Sequence, residues 1–316
     1  MKAVIRTQYG SPQVLSVKEV PIPKPGNREI LVRVHAATVN RTDCAILWGK
    51  PFIMHFFTGL FTPRLKTTGT DFSGKIEATG KNVSRFKVGD KVWGFKGFGL
   101  KSHAAYISIS EDSPVLIMPG NIGYEEAAAS AEGAYYALDA VNMLKPKAGQ
   151  KALVNGATGA IGSAMVQFLK FYGAYVTAVC SADHSELVRS LGADKIIDLN
   201  TADFTKDNEL YDFVFDAVGK STFYKCKPLL KPEGIYTSSE PNLLHVLITP
   251  LLGGKKAMFR PPKNIKKALA AIKELLENGH FKPVIDRKYP LDKIADAFEY
   301  VASGKKIGNV VIAMGT

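Results

Sequence analysis

Along the first 122 residues, apolar and polar positions alternate in short runs: Lys2 to Ile5, Ile30 to Ala37, Phe72 to Ala78, Lys91 to Gly94 and Ala104 to Ile109. A period of two is that of a half-buried β-strand. Turn residues such as Pro25-Gly26-Asn27 and Val88-Gly89-Asp90-Lys91 separate the runs, so the pattern predicts a mostly antiparallel, partly barrel-like region. From about residue 123 the rhythm changes to alternating strands and helices. Strands are predicted at Ala152 to Val154, Tyr175 to Cys180, Lys195 to Leu199, Phe213 to Ala217 and Gly234 to Ser238. Helices fall over Ser185 to Leu191 and Ser221 to Leu230. Such alternation indicates a parallel sheet covered on both faces. Pro261-Pro262 ends this unit. Ile265, Ala268, Leu269, Ile272, Leu275 and Leu276 then recur at helical spacing, with Gly279 as a stop. A helix over Leu291 to Ala302 and a strand over Asn309 to Ala313 complete a tail expected to return to the first domain. The reading is α/β: a mostly β domain of residues 1–122 and 264–316, and a doubly wound domain of residues 123–263.

The most informative stretch is Lys151-Ala-Leu-Val-Asn-Gly-Ala-Thr-Gly-Ala-Ile-Gly162. A short strand enters a glycine-rich turn, and a helix leaves it with Ile161, Met165, Phe168 and Leu169 on one face. That order builds a dinucleotide phosphate site, where helix N–H groups meet the pyrophosphate. The usual G-x-G-x-x-G is altered, because Ala157 stands at its first glycine and Gly156 lies one place early. A glycine pattern alone fits a tight turn equally well; the strand before it and the helix after it favour the nucleotide.

Composition narrows the class. Hydrophobic residues make up 46% and charged residues 22% of the 316, ordinary values for a globular protein. The apolar stretches Pro51 to Phe61 and Leu243 to Gly254 are too short to span a bilayer, which takes about 20 residues. Cys44, Cys180 and Cys226 are scattered, form no metal cluster, and suit a reducing cytoplasm. The net charge of +12 admits three readings: a solvated surface, steering of an anionic cofactor or substrate, or nucleic acid. No basic run is interleaved with aromatics as a nucleic-acid groove requires.

Several segments in order resemble the medium-chain dehydrogenase/reductase superfamily: Met1-Lys-Ala-Val4, Gly69-Thr-Asp-Phe-Ser-Gly74, Val88-Gly-Asp-Lys-Val92, the glycine turn, Leu191-Gly-Ala-Asp-Lys-Ile-Ile-Asp198, Phe215-Asp-Ala-Val-Gly219 and Pro283-Val-Ile-Asp286. The resemblance runs over essentially the whole chain and is nearest to the zinc-independent quinone oxidoreductases and NADPH-dependent enone (alkenal) reductases. It implies a GroES-like, mostly β catalytic domain and a Rossmann cofactor domain. Catalytic zinc in that superfamily needs an early cysteine, a Gly-His-Glu and a further cysteine. Here those places read Asn40, Gly69-Thr70-Asp71 and Ser130-Ala-Glu-Gly133, so no metal is expected.

The resemblance makes Asn40 and Tyr136 the candidate catalytic residues. Asn40 either faces nicotinamide and substrate carbonyl or caps the helix that follows. Tyr136, where relatives usually carry Thr, either donates to the substrate oxygen or fills space. Asp71 either organises the site through hydrogen bonds or is a turn carboxylate; Asp43 and the six histidines are read as structural. Candidate cofactor contacts are Gly156, Ala157, Thr158, Gly159, Ala160 and Ile161 in the turn, Ser181 after the second strand, Ala217, Val218 and Gly219 after the fourth, and Asn309 in the tail. Ser181 favours NADPH and Asp183 weighs against it, leaving NADH open. Trp48, Phe52 and Phe56 are candidate walls for a small hydrophobic carbonyl or quinone substrate, and a homodimer is expected. The leading expectation is hydride transfer to a quinone or to the C=C of an enone. A zinc-free alcohol or aldehyde reductase, or a weakly catalytic nucleotide-binding sensor, stands as the alternative.

Overall fold

The computed structural model describes residues 1–52, 54–240, 242–259 and 263–315. Pro261-Pro262, expected to close the cofactor unit, lies outside them. The chain divides into two compact units, one of residues 1–132, 264–277 and 283–316, the other of residues 133–263 and 278–282.

In chain order the elements are β1 (Lys2–Ile5), β2 (Ser16–Glu19), β3 (Glu29–Val39), α1 (Arg41–Trp48), α2 (Met54–Thr58), β4 (Asp71–Thr79), β5 (Lys91–Phe95), β6 (Tyr106–Ser110), β7 (Val115–Ile117), α3 (Tyr124–Ala129) and α4 (Glu132–Leu144). The series continues with β8 (Lys151–Asn155), α5 (Ala160–Phe171), β9 (Tyr175–Cys180), α6 (Ser185–Ser190), β10 (Lys195–Asp198), β11 (Tyr211–Asp216), α7 (Phe223–Cys226), β12 (Leu230–Ser238), α8 (Leu243–Ile248) and β13 (Lys256–Ala257). It ends with α9 (Ile265–Glu277), β14 (Ile285–Pro290), α10 (Ile294–Ala302) and β15 (Asn309–Ala313).

The first unit is built round β3. Along it Ile30, Val32, Val34 and Ala36 are buried every second residue, the period a pleated strand imposes. Its first half pairs with both β4 and β6, and its last four residues pair antiparallel with β15, so the C-terminal strand is in the same sheet as the N-terminal ones. The sheet order is β14-β15-β3-β4-β5-β7. Ile30, Val32, Val34, Phe72, Ile76 and Val92 fill one core; Cys44 and Leu47 of α1 close another against Phe298 and Val301 of α10.

The expected division at residue 122 moves to residue 132. Ala128 and Ala129 of α3 pack against Ala36 and Val311, His35 stacks on Tyr124 with ring centroids 4.2 Å apart, and Ser73 donates to the Tyr124 carbonyl. Residues 278–282 go the other way, with the second unit. There the Gln167 side chain donates to Lys282 O at 3.0 Å and accepts from Lys282 N–H at 2.9 Å.

The second unit is an all-parallel sheet of order β10-β9-β8-β11-β12-β13. Numbered within the unit this is 3-2-1-4-5-6, the order of a doubly wound nucleotide-binding sheet. Its direction reverses between β8 and β11, and ligands of such sheets bind outside the strand ends at that reversal.

Candidate functional site

Two constellations stand out, one in each unit. In the second, β8 ends at the reversal and the chain turns through Gly156, whose φ of +78° a side chain would resist. Gly159 caps α5 from an extended conformation, and the first helical bond, Ser163 N–H to Gly159 O, is 2.8 Å. The N–H groups of Ala160, Ile161 and Gly162 precede that bond, in the place where a helix offers donors to an anion. A Cβ on Gly162 would lie 2.1 Å from Gly156 O, so only glycine lets the helix approach the turn this closely. Met165, Phe168 and Leu169 of α5 are buried as expected, whereas Ile161 is only partly so.

The loop after β11 comes to the same place. Asn155 Nδ2 donates to Asp216 Oδ1 at 2.9 Å, and Ala217 N–H to Asn155 O at 3.0 Å. The fully buried Asp216 carboxylate also accepts the N–H groups of Val218, Gly219 and Ser221 at 3.2, 3.1 and 2.7 Å. A Cβ on Gly156 would strike Val218 Cγ2 at 2.3 Å. The glycine turn and the loop Ala217 to Gly219 therefore meet where the sheet order reverses. Ser181 lies at the end of β9, where its hydroxyl accepts from Asn200 Nδ2 at 3.0 Å and is 3.4 Å from Asp183 Oδ2. The sequence reading passed over Asn200, this partner of the candidate Ser181, because it sits in a loop with no pattern of its own.

The first unit holds a buried polar cluster between β3, α1, β4 and the first residue of α4. Asn40 is 5% exposed. Its Nδ2 lies 2.6 Å from Thr38 Oγ1, 3.1 Å from Asp71 Oδ2 and 3.0 Å from Glu132 Oε2. Asn40 occupies the N-cap position of α1, yet its amide nitrogen points into this cluster. The reciprocal contact belongs to Asp43, whose Oδ2 accepts Asn40 N–H at 2.9 Å while Oδ1 accepts Gly69 N–H at 3.1 Å. Asn40 Nδ2 thus has three acceptors within reach inside the cluster. Asp71 is the first residue of β4 rather than a turn carboxylate. It takes Thr38 N–H at 2.7 Å as well as the Thr38 hydroxyl. Thr70 donates its hydroxyl to Glu132.

Burying three carboxylates this close favours their neutral forms. Burial first, and then Glu132, pushes Asp71 up to about 7. Asp43 is raised well above its ordinary value and Glu132 is raised too, in both cases chiefly by desolvation. Lys306, partly buried with Nζ 2.6 Å from Gly308 O, is lowered by desolvation to about 8. His103 bonds Thr68 Oγ1 at 2.7 Å and Thr38 O at 2.9 Å. Burial holds it near 4, a neutral structural imidazole. Glu132 was missed by sequence reading although it sits in Ser130–Gly133, the stretch inspected for a cysteine.

The remaining candidates lie elsewhere in their units. Tyr136 is on α4, partly buried, its ring centroid 5.3 Å from that of the fully buried Tyr135. Asn309, 3% exposed at the head of β15, donates its amide to Val284 O at 3.0 Å, a bond within the first unit. Trp48, partly buried, packs on the core of α1 and α10. Phe52 and Phe56 are 67% and 69% exposed.

Comparison with known proteins places this geometry. Residues 26–141 match the alcohol dehydrogenase GroES-like domain family, and residues 191–312 match the zinc-binding dehydrogenase family. The chain is 32% identical to 2-methylene-furan-3-one reductase of Solanum lycopersicum, over 99% of this chain and 79% of that one. It is 31% identical to a chloroplastic quinone oxidoreductase of Triphysaria versicolor (99% and 98%) and to the chloroplastic NADPH-dependent alkenal/one oxidoreductase of Arabidopsis thaliana (99% and 79%). The quinone oxidoreductase structure from Coxiella burnetii superposes with a TM-score of 0.88 at 24% identity, covering 100% of this chain and 99% of that one. With matches of this extent to both units, the chain belongs to the medium-chain dehydrogenase/reductase superfamily of oxidoreductases.

Proposed function

We propose that the chain is an NADPH-dependent, zinc-independent reductase of quinones or of the C=C bond of α,β-unsaturated carbonyls. The observation that carries this reading is the glycine turn at the sheet reversal, with its backbone donors and its absent side chain at Gly162. The names of the Arabidopsis, tomato and Triphysaria relatives support the cofactor and the substrate class. NADPH, when bound, supplies a hydride from its nicotinamide. The turn Gly156–Ile161 would hold its pyrophosphate, Ala217–Gly219 its nicotinamide half, and Ser181 with Asn200 its ribose phosphate. Asp183 beside Ser181 sets a limit on that preference, since a carboxylate repels a phosphate.

Zinc does not suit the first-unit cluster. It calls for thiolate or imidazole donors in a tetrahedron, and this cluster offers an amide, hydroxyls and carboxylates whose oxygens accept hydrogen bonds. Among the described residues no group of three or more His, Cys, Asp or Glu side chains is arranged to hold a metal. Cys44 is buried in the α1–α10 core with its thiol pushed up to about 12 by desolvation. Asp71 and Glu132 instead fix the orientation of the Asn40 amide. Tyr136 is then the proposed donor to the oxygen on which negative charge develops. The enzyme is taken to act as a homodimer, in keeping with the exposed Leu243, Leu244, Leu247, Leu251 and Leu252 around α8.

The test is NADPH and NADH titration by fluorescence, followed by oxidation of the bound cofactor with a small enone and a quinone. Saturated ketone or quinol formed in step with NADPH supports the reading. Tyr136→Phe is then expected to lower kcat by about 100-fold. Preference for NADH would give Asp183 the upper hand over Ser181, and turnover of saturated aldehydes alone would move the substrate class to carbonyl reduction.

A further inference from the structure

The first unit carries an exposed apolar region that its cores leave uncovered. Phe61 is 88% exposed, Phe52 and Phe56 are two-thirds exposed, and Leu60 and Phe98 are also exposed. They sit on the segment from Lys50 to Lys66 and on the neighbouring loop from Lys96 to Lys101. The two loops are adjacent, since a Cβ on Gly99 would touch Leu65 at 3.8 Å. The backbone beneath the rings is pinned. Tyr9 OH lies 2.7 Å from Thr58 Oγ1 and donates to Gly59 O at 2.6 Å, while the buried Arg6 donates to Leu65 O at 3.1 Å. A fixed backbone that turns its phenyl rings outward needs something to cover them.

Charge says what. No acidic residue stands between Asp43 and Asp71, nor between Asp90 and Glu111, whereas Lys50, Arg64, Lys66, Lys96 and Lys101 all fall in those intervals and are exposed. The whole chain adds a net +12. A second copy on this face would bring like charges together with no carboxylate in either segment to pair them. Aromatic side chains ringed by cations match a surface with an apolar interior and anionic headgroups. We propose that this face docks the protein on the surface of an anionic lipid bilayer. Phe61 and its neighbours enter the headgroup layer, and the lysines and Arg64 lie against the phosphates. Among the described residues no helix is long and apolar enough to cross a membrane, so the attachment is peripheral and salt-sensitive. It would bring a lipophilic substrate within reach, but binding is read without cofactor or turnover and stands apart from the reductase proposal.

The full chain is sedimented with vesicles of phosphatidylcholine alone and with about 30% phosphatidylglycerol. The anionic vesicles are expected to bind at least about ten-fold more protein, and raising salt from about 0.05 M to about 0.5 M to release most of it. Phe61→Ser and Arg64→Glu, each with the parent's melting temperature, are each expected to weaken binding several-fold. Equal binding to neutral vesicles, no binding to either, or full binding by Phe61→Ser overturns the proposal. So does a self-association that Phe61→Ser abolishes while vesicles capture nothing, because the face then belongs to a second copy.

Discussion

A methyl group added to Gly162 would meet Gly156 O at 2.1 Å and the Gly156 carbonyl carbon at 2.9 Å, both backbone atoms with no rotamer to yield. Gly159, three residues earlier, has nothing nearer than 3.6 Å. The two glycines of one motif therefore do different work. Gly162 permits helix and turn to touch, and Gly159 would leave room for the proposed cofactor. From this difference, Gly162→Ala is expected to displace the start of α5 and weaken NADPH binding by at least about ten-fold, or about 1.4 kcal/mol. Gly159→Ala is expected to keep the parent's melting temperature while still losing affinity by obstruction. Fluorescence titration with a thermal melt on each variant separates the two; equal melting temperatures for both would defeat the assignment.

At the level of elements, α1 is held where it starts by one carboxylate. Asp43 accepts the N–H of Asn40, three residues back, and that of Gly69, just before β4, so it ties helix to strand inside the core. Asp43→Ala leaves two buried N–H groups without a partner, each costing about 1–3 kcal/mol. A loss of roughly 2–5 kcal/mol is expected in denaturant unfolding, with Asp43→Asn milder because one acceptor remains. A loss under about 1 kcal/mol would mean that water takes over the role. Such a tie explains what the sequence could and could not reveal. Strand period, glycine turn and the apolar face of α9 are local, and β1, β9 and β15 were legible to the residue. The tie from Asp43 to Gly69, the approach of Glu132 to Asn40 across 92 positions and the bond from Asn309 to Val284 depend on which strands become neighbours. Nothing at those residues advertises the partner. The same holds for α3, whose short alanine run gave no boundary signal until β3 and β15 were seen to cover it.

Over the whole molecule, the buried cluster and His103 give stability opposite dependences on pH. Asp71 has an ordinary value of 3.8 and stands near 7 when folded. Between those values the folded chain keeps a proton that the unfolded chain has lost, so stability falls as pH rises through that window. Asp43 and Glu132 are raised as well and act in the same direction. His103 falls from 6.5 to about 4, so between those values the unfolded chain takes a proton that the folded chain refuses, and stability rises with pH. His35, lowered chiefly by burial, joins His103 against the three carboxylates, and the effect of both ends near 6.5, where Asp71 is still losing its proton. The protein is therefore expected to melt at a higher temperature at about pH 5.5 than at about pH 7.5. Asp71 alone could account for about 2 kcal/mol of the difference, the part of its shift that falls between those two pH values. Asp71→Asn cannot ionise; it loses acceptor capacity toward Thr38 and is expected to be the less stable protein at about pH 5, with the gap narrowing as pH rises toward about 7.5. A gap between parent and variant that stays constant across this range would show that Asp71 is ionised throughout. The proton held in the cluster would then have to reside on Asp43 or Glu132.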